Sequence, residues 1–209
     1  MKQFVLFDHD GVLVDTEPWY YRAGADALAE IGIALDLSQY LEDMGHGLGT
    51  WARAREAGVD EETVARLRAV RDDRYQHYLR TETIEIDSVA EVLDELSTDV
   101  RMAVVTTSEF ELIHQNRNLL DHMDFVLVRE DYRRAKPHPE PYLTALSRFG
   151  GDPDQTLVVE DSARGLRSAV AAGIDCAVVH NDFTAGQDFS AATHQIGSLR
   201  DLIDIVRTR

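Results

Sequence analysis

Short, mostly apolar runs alternate along this chain with stretches whose apolar residues recur at helical spacing. The runs are Phe4–Phe7, Met102–Thr106, Phe125–Val128, Leu157–Glu160 and Ala177–Val179. Helical patterns follow them at Val89–Leu96, Glu109–Leu120, Pro139–Phe149, Arg164–Ala172 and Ser198–Val206. No other feature narrows the fold so much. A strand without polar alternation has to be covered on both faces, and crossover helices are how a parallel sheet covers itself. The expected class is α/β, a Rossmann-like doubly wound parallel sheet built on these five strands. In "GDPDQTLVVED", Gly151 and Pro153 mark the turn that precedes one of them.

One interval breaks the alternation. From Thr16 to about Thr83 there is no strand signal. "YYRAGADALAEIG" has helical spacing and stops at Gly32, and shorter helical pieces lie around Leu37–Met44 and Thr50–Ala57. "DEETVARLRAVRDDRYQHYLR" begins at acidic residues and turns basic, the order the helix dipole favours. The expected organisation is an α/β core of residues 1–15 and 84–209, with residues 16–83 inserted as a small α-helical domain. No internal repeat or low-complexity segment is visible.

The charge narrows the partners. A formal net charge of -17 leaves no basic stripe for nucleic acid and disfavours an anionic membrane surface. No apolar run approaches the ~18 residues of a membrane span. Asp8 and Asp10 interrupt the one candidate for a signal-peptide core. The single cysteine, Cys176, has no partner for an internal disulfide, which suits a reducing compartment. A soluble cytoplasmic protein is expected, with a monomer slightly favoured. The 21 basic residues include two lysines, Lys2 and Lys136. An Asp-rich, Lys-poor surface fits either a salt-adapted host or a codon bias toward arginine.

The chemistry lies where the apolar runs end. Asp8 and Asp10 follow the first run and, two residues apart, start on a similar side. Such a pair is costly unless a cation lies between the carboxylates or one of them takes a proton. Alone, two solvated acids in a turn are an equally good reading. Three further stretches weigh against that. "MAVVTTSE" ends in Thr106 and Thr107, "AKPHPEPY" offers Lys136, and "LVVEDSARG" ends in Glu160 and Asp161. A parallel sheet gathers its carboxyl ends at one edge, where ligands of open α/β sheets bind. Hard oxygen ligands suit Mg²⁺, while a hydroxyl, backbone N–H groups and a lysine suit phosphate oxygens. Lys136, one of two lysines in a chain that uses arginine almost everywhere, stands out because a compact ammonium fits between a carboxylate and a phosphate.

"FDHDGVLVDTEP", "VVTTSE", "KPHPEPY" and "VVEDSARGLRSAVAAG" occur here in the order found in the haloacid dehalogenase (HAD) superfamily, which this sequence resembles over nearly its whole length. The likeness is nearest to the phosphoglycolate phosphatase and β-phosphoglucomutase-like subgroup, in which the insertion is a helical cap over the site. The resemblance implies an Mg²⁺-dependent phosphatase that acts on a small phosphorylated metabolite through an aspartyl-phosphate. By position, Asp8 is the expected nucleophile and Asp10 the general acid and then base, its backbone carbonyl also on the metal. Thr106, the Thr107 N–H and Lys136 are the expected phosphate-binding groups. Asp8, Asp10 and Asp161 are the expected metal ligands, with Glu160 beside the metal or acting through water.

Some positions depart from the resembled pattern. His9 lies between the two aspartates where apolar residues are usual, and a packing role is expected. Thr107 replaces a common asparagine but keeps its N–H. "GHGLGT" is expected to be a turn between helices rather than a phosphate loop, with His46 a lesser substrate candidate. Trp19, Tyr20 and Tyr21 are expected to pack. β-Phosphoglucomutase has a histidine where this chain has Tyr20, which favours hydrolysis over the alternative, a phosphomutase. A remote alternative is a non-enzymatic phospho-receiver module.

Overall fold

The computed structural model describes residues 1–45, 48–108 and 117–208. The chain divides into two compact units, Met1–Asp15 with Glu85–Arg209, and Thr16–Ile84. In chain order the first elements are β1 (Phe4–Phe7), α1 (Glu17–Ala29), α2 (Leu37–Gly45), α3 (Ala52–Glu56), α4 (Glu61–Thr81) and α5 (Val89–Leu96). Then come β2 (Arg101–Val105), α6 (Arg117–Leu120), β3 (Phe125–Leu127), α7 (Glu140–Phe149), β4 (Thr156–Glu160), α8 (Ala163–Ala171), β5 (Asp175–Val179), β6 (His194–Ile196) and α9 (Asp201–Arg207).

The six strands form one sheet in the order β3-β2-β1-β4-β5-β6, with every pairing parallel. The five expected strands are present, with ends shifted by at most two residues. The sixth, β6, corrects the five-strand expectation. It has one neighbour, β5, and buries only Ile196, so it carries no apolar run. Of the expected helix Glu109–Leu120, Arg117–Leu120 is helical and residues 109–116 lie outside the described residues.

Apolar spacing explains how the sheet is covered. α7 buries Pro141, Tyr142, Ala145, Leu146 and Phe149, one stripe of its surface, and stops at Gly150 with φ +65°. Tyr142, Ala145, Leu146 and Phe149 of that stripe share a core with Leu6, Val105, Leu127, Val158 and Cys176 of the sheet and with Leu166 and Ala169 of α8. Phe149 lies 4.8 Å, ring centroid to centroid, from both Phe4 and Phe125. Ser162 caps α8, accepting from the Gly165 N–H at 3.1 Å.

In the Thr16–Ile84 unit, α1 packs along α4. Asp60 caps α4 through the Thr63 N–H at 2.8 Å. Trp19 and Tyr20 meet Tyr78 and Tyr75, and Tyr21 meets Tyr40 and donates to the Leu35 carbonyl, as packing residues should. No strand occurs among the described residues of 16–83. His46 and Gly47 of "GHGLGT" lie outside the described residues. Among the described residues, no helix is long and apolar enough to cross a membrane.

Candidate active site

Strand order locates the site before any side chain is considered. The chain runs outward from β1 through β2 to β3, then returns to the other side of β1 and runs from β4 to β6. Between β1 and β4 lies the switch point at which ligands of doubly wound sheets bind, outside the carboxyl ends. Phe7 pairs with Val104 of β2 and Val159 of β4. One step further along are Asp8, Val105 and Glu160, and the Asp8 N–H donates to the Val159 carbonyl at 2.9 Å.

Lys136 joins these three ends. Its Nζ donates to Asp8 Oδ1 at 2.8 Å, to Glu160 Oε1 at 2.7 Å and to the Val105 carbonyl at 2.8 Å. It lies 4.8 Å from the centre of the Tyr142 ring, and the Tyr142 hydroxyl donates to Glu160 Oε1 at 2.6 Å. Ser162 donates to Glu160 Oε2 at 3.1 Å. Glu160 is 0% exposed, and its charge is tolerated because a lysine and two hydroxyls meet it. Gly165 leaves it room, since a Cβ there would fall 1.8 Å from the Glu160 carboxyl carbon. Burial alone would discharge Lys136, but Asp8 and then Glu160 outweigh it and raise its pKa above the ordinary lysine value.

Asp161 completes a carboxylate cluster. One oxygen each of Asp8, Glu160 and Asp161 lies within 4.8 Å of the others. Asn181, just past β5, donates its side-chain N–H to Asp161 Oδ2 at 2.8 Å. Gly11, at φ +78°, lets the backbone pass close by, since a Cβ there would lie 2.0 Å from Asp161 Oδ2. Burial, followed by the charges of Asp8 and Glu160, pushes Asp161 up to about 8. Burial likewise raises Asp8, against the pull of Lys136, to about 6. The cluster holds more negative charge than Lys136 offsets. Its hard oxygen donors and surplus charge fit a divalent cation such as Mg²⁺.

The third strand end supplies hydroxyls. Thr106 is buried, and its Oγ1 accepts from the Ser108 N–H at 3.0 Å, which leaves its own hydrogen to donate. Tyr132 donates to the Thr106 carbonyl at 2.5 Å. Ser108 donates to Asp10 Oδ2 at 2.5 Å. Of the expected residues, Asp8, Lys136, Glu160 and Asp161 gather directly, and Asp10 and Thr106 are linked through Ser108. The Thr107 hydroxyl instead accepts from Arg164 at 3.4 Å. His9 is 2% exposed, with Nδ1 3.7 Å from Asp10 Oδ2 and no hydrogen bond to either ring nitrogen among the described residues, as expected of a packing residue. Ser108, Tyr142 and Asn181 were not marked by the sequence. Asn181 does follow the fifth apolar run, so the rule that found Asp8 and Asp161 would have reached it.

A half-buried carboxylate held by lysine, a neighbouring acid, a buried hydroxyl and a cation-ready cluster are the parts needed to move a phosphoryl group. The model of the haloacid dehalogenase-like hydrolases matches residues 5–179. A phosphoglycolate phosphatase of Salmonella typhimurium (strain LT2) is 31% identical over 196 residues, covering 81% of this chain and 77% of its own length. A fructose-1-phosphate phosphatase of Escherichia coli (strain K12) is 29% identical over 182 residues, covering 82% of this chain and 93% of its own. CbbY from Rhodobacter sphaeroides, solved in complex with phosphate, shares the fold with a TM-score of 0.76 at 24% identity, over 97% of this chain and 96% of that one.

Proposed function

The chain belongs to the haloacid dehalogenase-like hydrolase family, and on that premise we propose that it is an Mg²⁺-dependent phosphatase of a small phosphorylated metabolite, of the sugar phosphate or phosphoglycolate type. The observation that carries the reading is the Lys136 bridge, which pins one oxygen of Asp8 at the switch point of the sheet.

Asp8 attacks phosphorus, forming an oxygen–phosphorus bond as the bond to the leaving oxygen breaks. Asp10 gives its proton to that leaving oxygen. Asp10 then takes a proton from the water that attacks the aspartyl-phosphate, freeing inorganic phosphate and restoring Asp8. Lys136 offsets charge on Asp8 and the phosphoryl group, while the Thr106 hydroxyl and the Thr107 N–H hold phosphoryl oxygens. Asp8, Asp161 and the Asp10 carbonyl, with Glu160 beside it or acting through water, would hold Mg²⁺, which would supply charge neutralisation for the transferring group. Residues 16–83 serve as the cap expected from the resemblance and select the substrate. Hydrolysis is preferred to mutase chemistry because Tyr20, at the mutase histidine position, is packed 4.4 Å from the Arg71 guanidinium and against Tyr75. A cytoplasmic setting accords with the buried free Cys176.

The test is phosphate release from a panel of phosphorylated metabolites with Mg²⁺ and with EDTA. Release that requires Mg²⁺ supports the reading. No release from any ester, or release indifferent to EDTA, contradicts it.

A further inference from the structure

Ser108 is fixed at three points. Its N–H donates to Thr106 Oγ1 at 3.0 Å, and its carbonyl accepts from the Arg129 N–H at 3.1 Å. With the backbone held at both ends, its hydroxyl donates to Asp10 Oδ2 at 2.5 Å. A contact this short is typical of a hydroxyl bonded to a carboxylate. The Asp10 side chain is about a third exposed (37%), so packing alone does not define its direction.

We propose that Ser108 is the positioning residue of Asp10, aiming the carboxyl group that serves first the leaving oxygen and then the attacking water. The inference rests on the phosphatase reading above. A hydroxyl donating to Oδ2 keeps the acid's proton off that oxygen and assigns it to Oδ1. In the first half-reaction that proton passes from Asp10 to the departing oxygen as its bond to phosphorus breaks. In the second, Asp10 recovers a proton from water as the new oxygen–phosphorus bond forms. Ser108 gains and loses no proton in either half. The Thr106–Ser108 contact also ties the turn that aims Asp10 to a hydroxyl of the phosphate-binding set.

Leaving groups separate this role from a merely structural one. An alkyl oxygen needs a proton as it departs, whereas dinitrophenolate does not. Ser108→Ala is expected to lower kcat/KM for glycerol phosphate by ~10–100-fold, the scale of misdirected acid help. For 2,4-dinitrophenyl phosphate the loss should be at least ~10-fold smaller. Ser108→Thr, which keeps the hydroxyl, should return the ratio of the two substrates to the wild-type value. Both substrates are read on one preparation, so partial unfolding cancels in the ratio. If Ser108→Ala does not fold, Ser108→Cys, with its weak donor, is read in the same way. An unchanged ratio in the folded variant, or no rescue by threonine, overturns the inference. A wild-type protein that releases phosphate from neither of these esters nor any ester of the metabolite panel overturns the phosphatase reading and this inference with it.

Discussion

Lys136→Met removes a buried positive charge and keeps most of the side chain's bulk. It deletes the bonds to Asp8 (2.8 Å), Glu160 (2.7 Å) and the Val105 carbonyl (2.8 Å). Glu160 keeps the hydroxyls of Tyr142 and Ser162 but loses its only counter-charge among the described residues. Removing one partner of a buried ion pair typically costs ~3–5 kcal/mol, because the remaining charge stays buried. At ~2–4 °C per kcal/mol for a chain of this size, the midpoint of unfolding should fall by roughly 6–20 °C at pH 8 in EDTA. The loss should depend on pH in a definite direction. Asp8 titrates at about 6 even with Lys136 pulling it down, so without the lysine its folded-state pKa moves higher. An acid raised above its unfolded value favours the fold at low pH and loses that contribution as pH rises through the folded value. The deficit of the variant should therefore shrink between pH 8 and pH 5. Thermal unfolding followed by circular dichroism measures both quantities. A drop under ~2 °C at pH 8, below the cost of a broken buried pair, would refute the reasoning, as would equal deficits at both pH values.

The same charges predict how metal binds. With Asp8 at about 6 and Asp161 at about 8 in the metal-free protein, Mg²⁺ competes with protons. Calorimetry should find tighter binding and less proton release at pH 8.5 than at pH 6, and affinity that ignores pH would contradict the cluster. Asn181→Ala removes the donor that holds Asp161 Oδ2 and should weaken Mg²⁺ binding by ~10–100-fold, the usual cost of losing a ligand's supporting hydrogen bond. Unchanged affinity in that variant would show that Asn181 does not orient Asp161.

Much of the core was legible because parallel strands, covered on both faces, announce themselves as apolar runs. β1 is the plainest example, with all four residues buried. The same rule hides what is polar or at an edge. β2 begins at exposed Arg101 and β5 at exposed Asp175, so both look one or two residues short in the sequence. β6 offers His194, Gln195 and one buried residue, Ile196, and gives no signal at all. At the site, a polar residue that ends an apolar run is conspicuous, which exposed Asp8, Thr106, Glu160 and Asp161. Lys136 was readable through its rarity rather than its spacing. Tyr142 was not readable, because its ring belongs to the buried stripe of α7 and only its hydroxyl reaches Glu160. Ser108 is the third of three hydroxyl residues in "TTS", and composition does not say which of them meets Asp10.

The central claim is that Asp8 takes the phosphoryl group. The most direct measurement is to quench the enzyme during turnover of a ³²P-labelled phosphate ester and map the modified residue by peptide mass spectrometry. Label on Asp8, released by hydroxylamine as an acyl phosphate is and absent from Asp8→Asn, is the expected result. Label on another residue, or full turnover by Asp8→Asn, would contradict the claim.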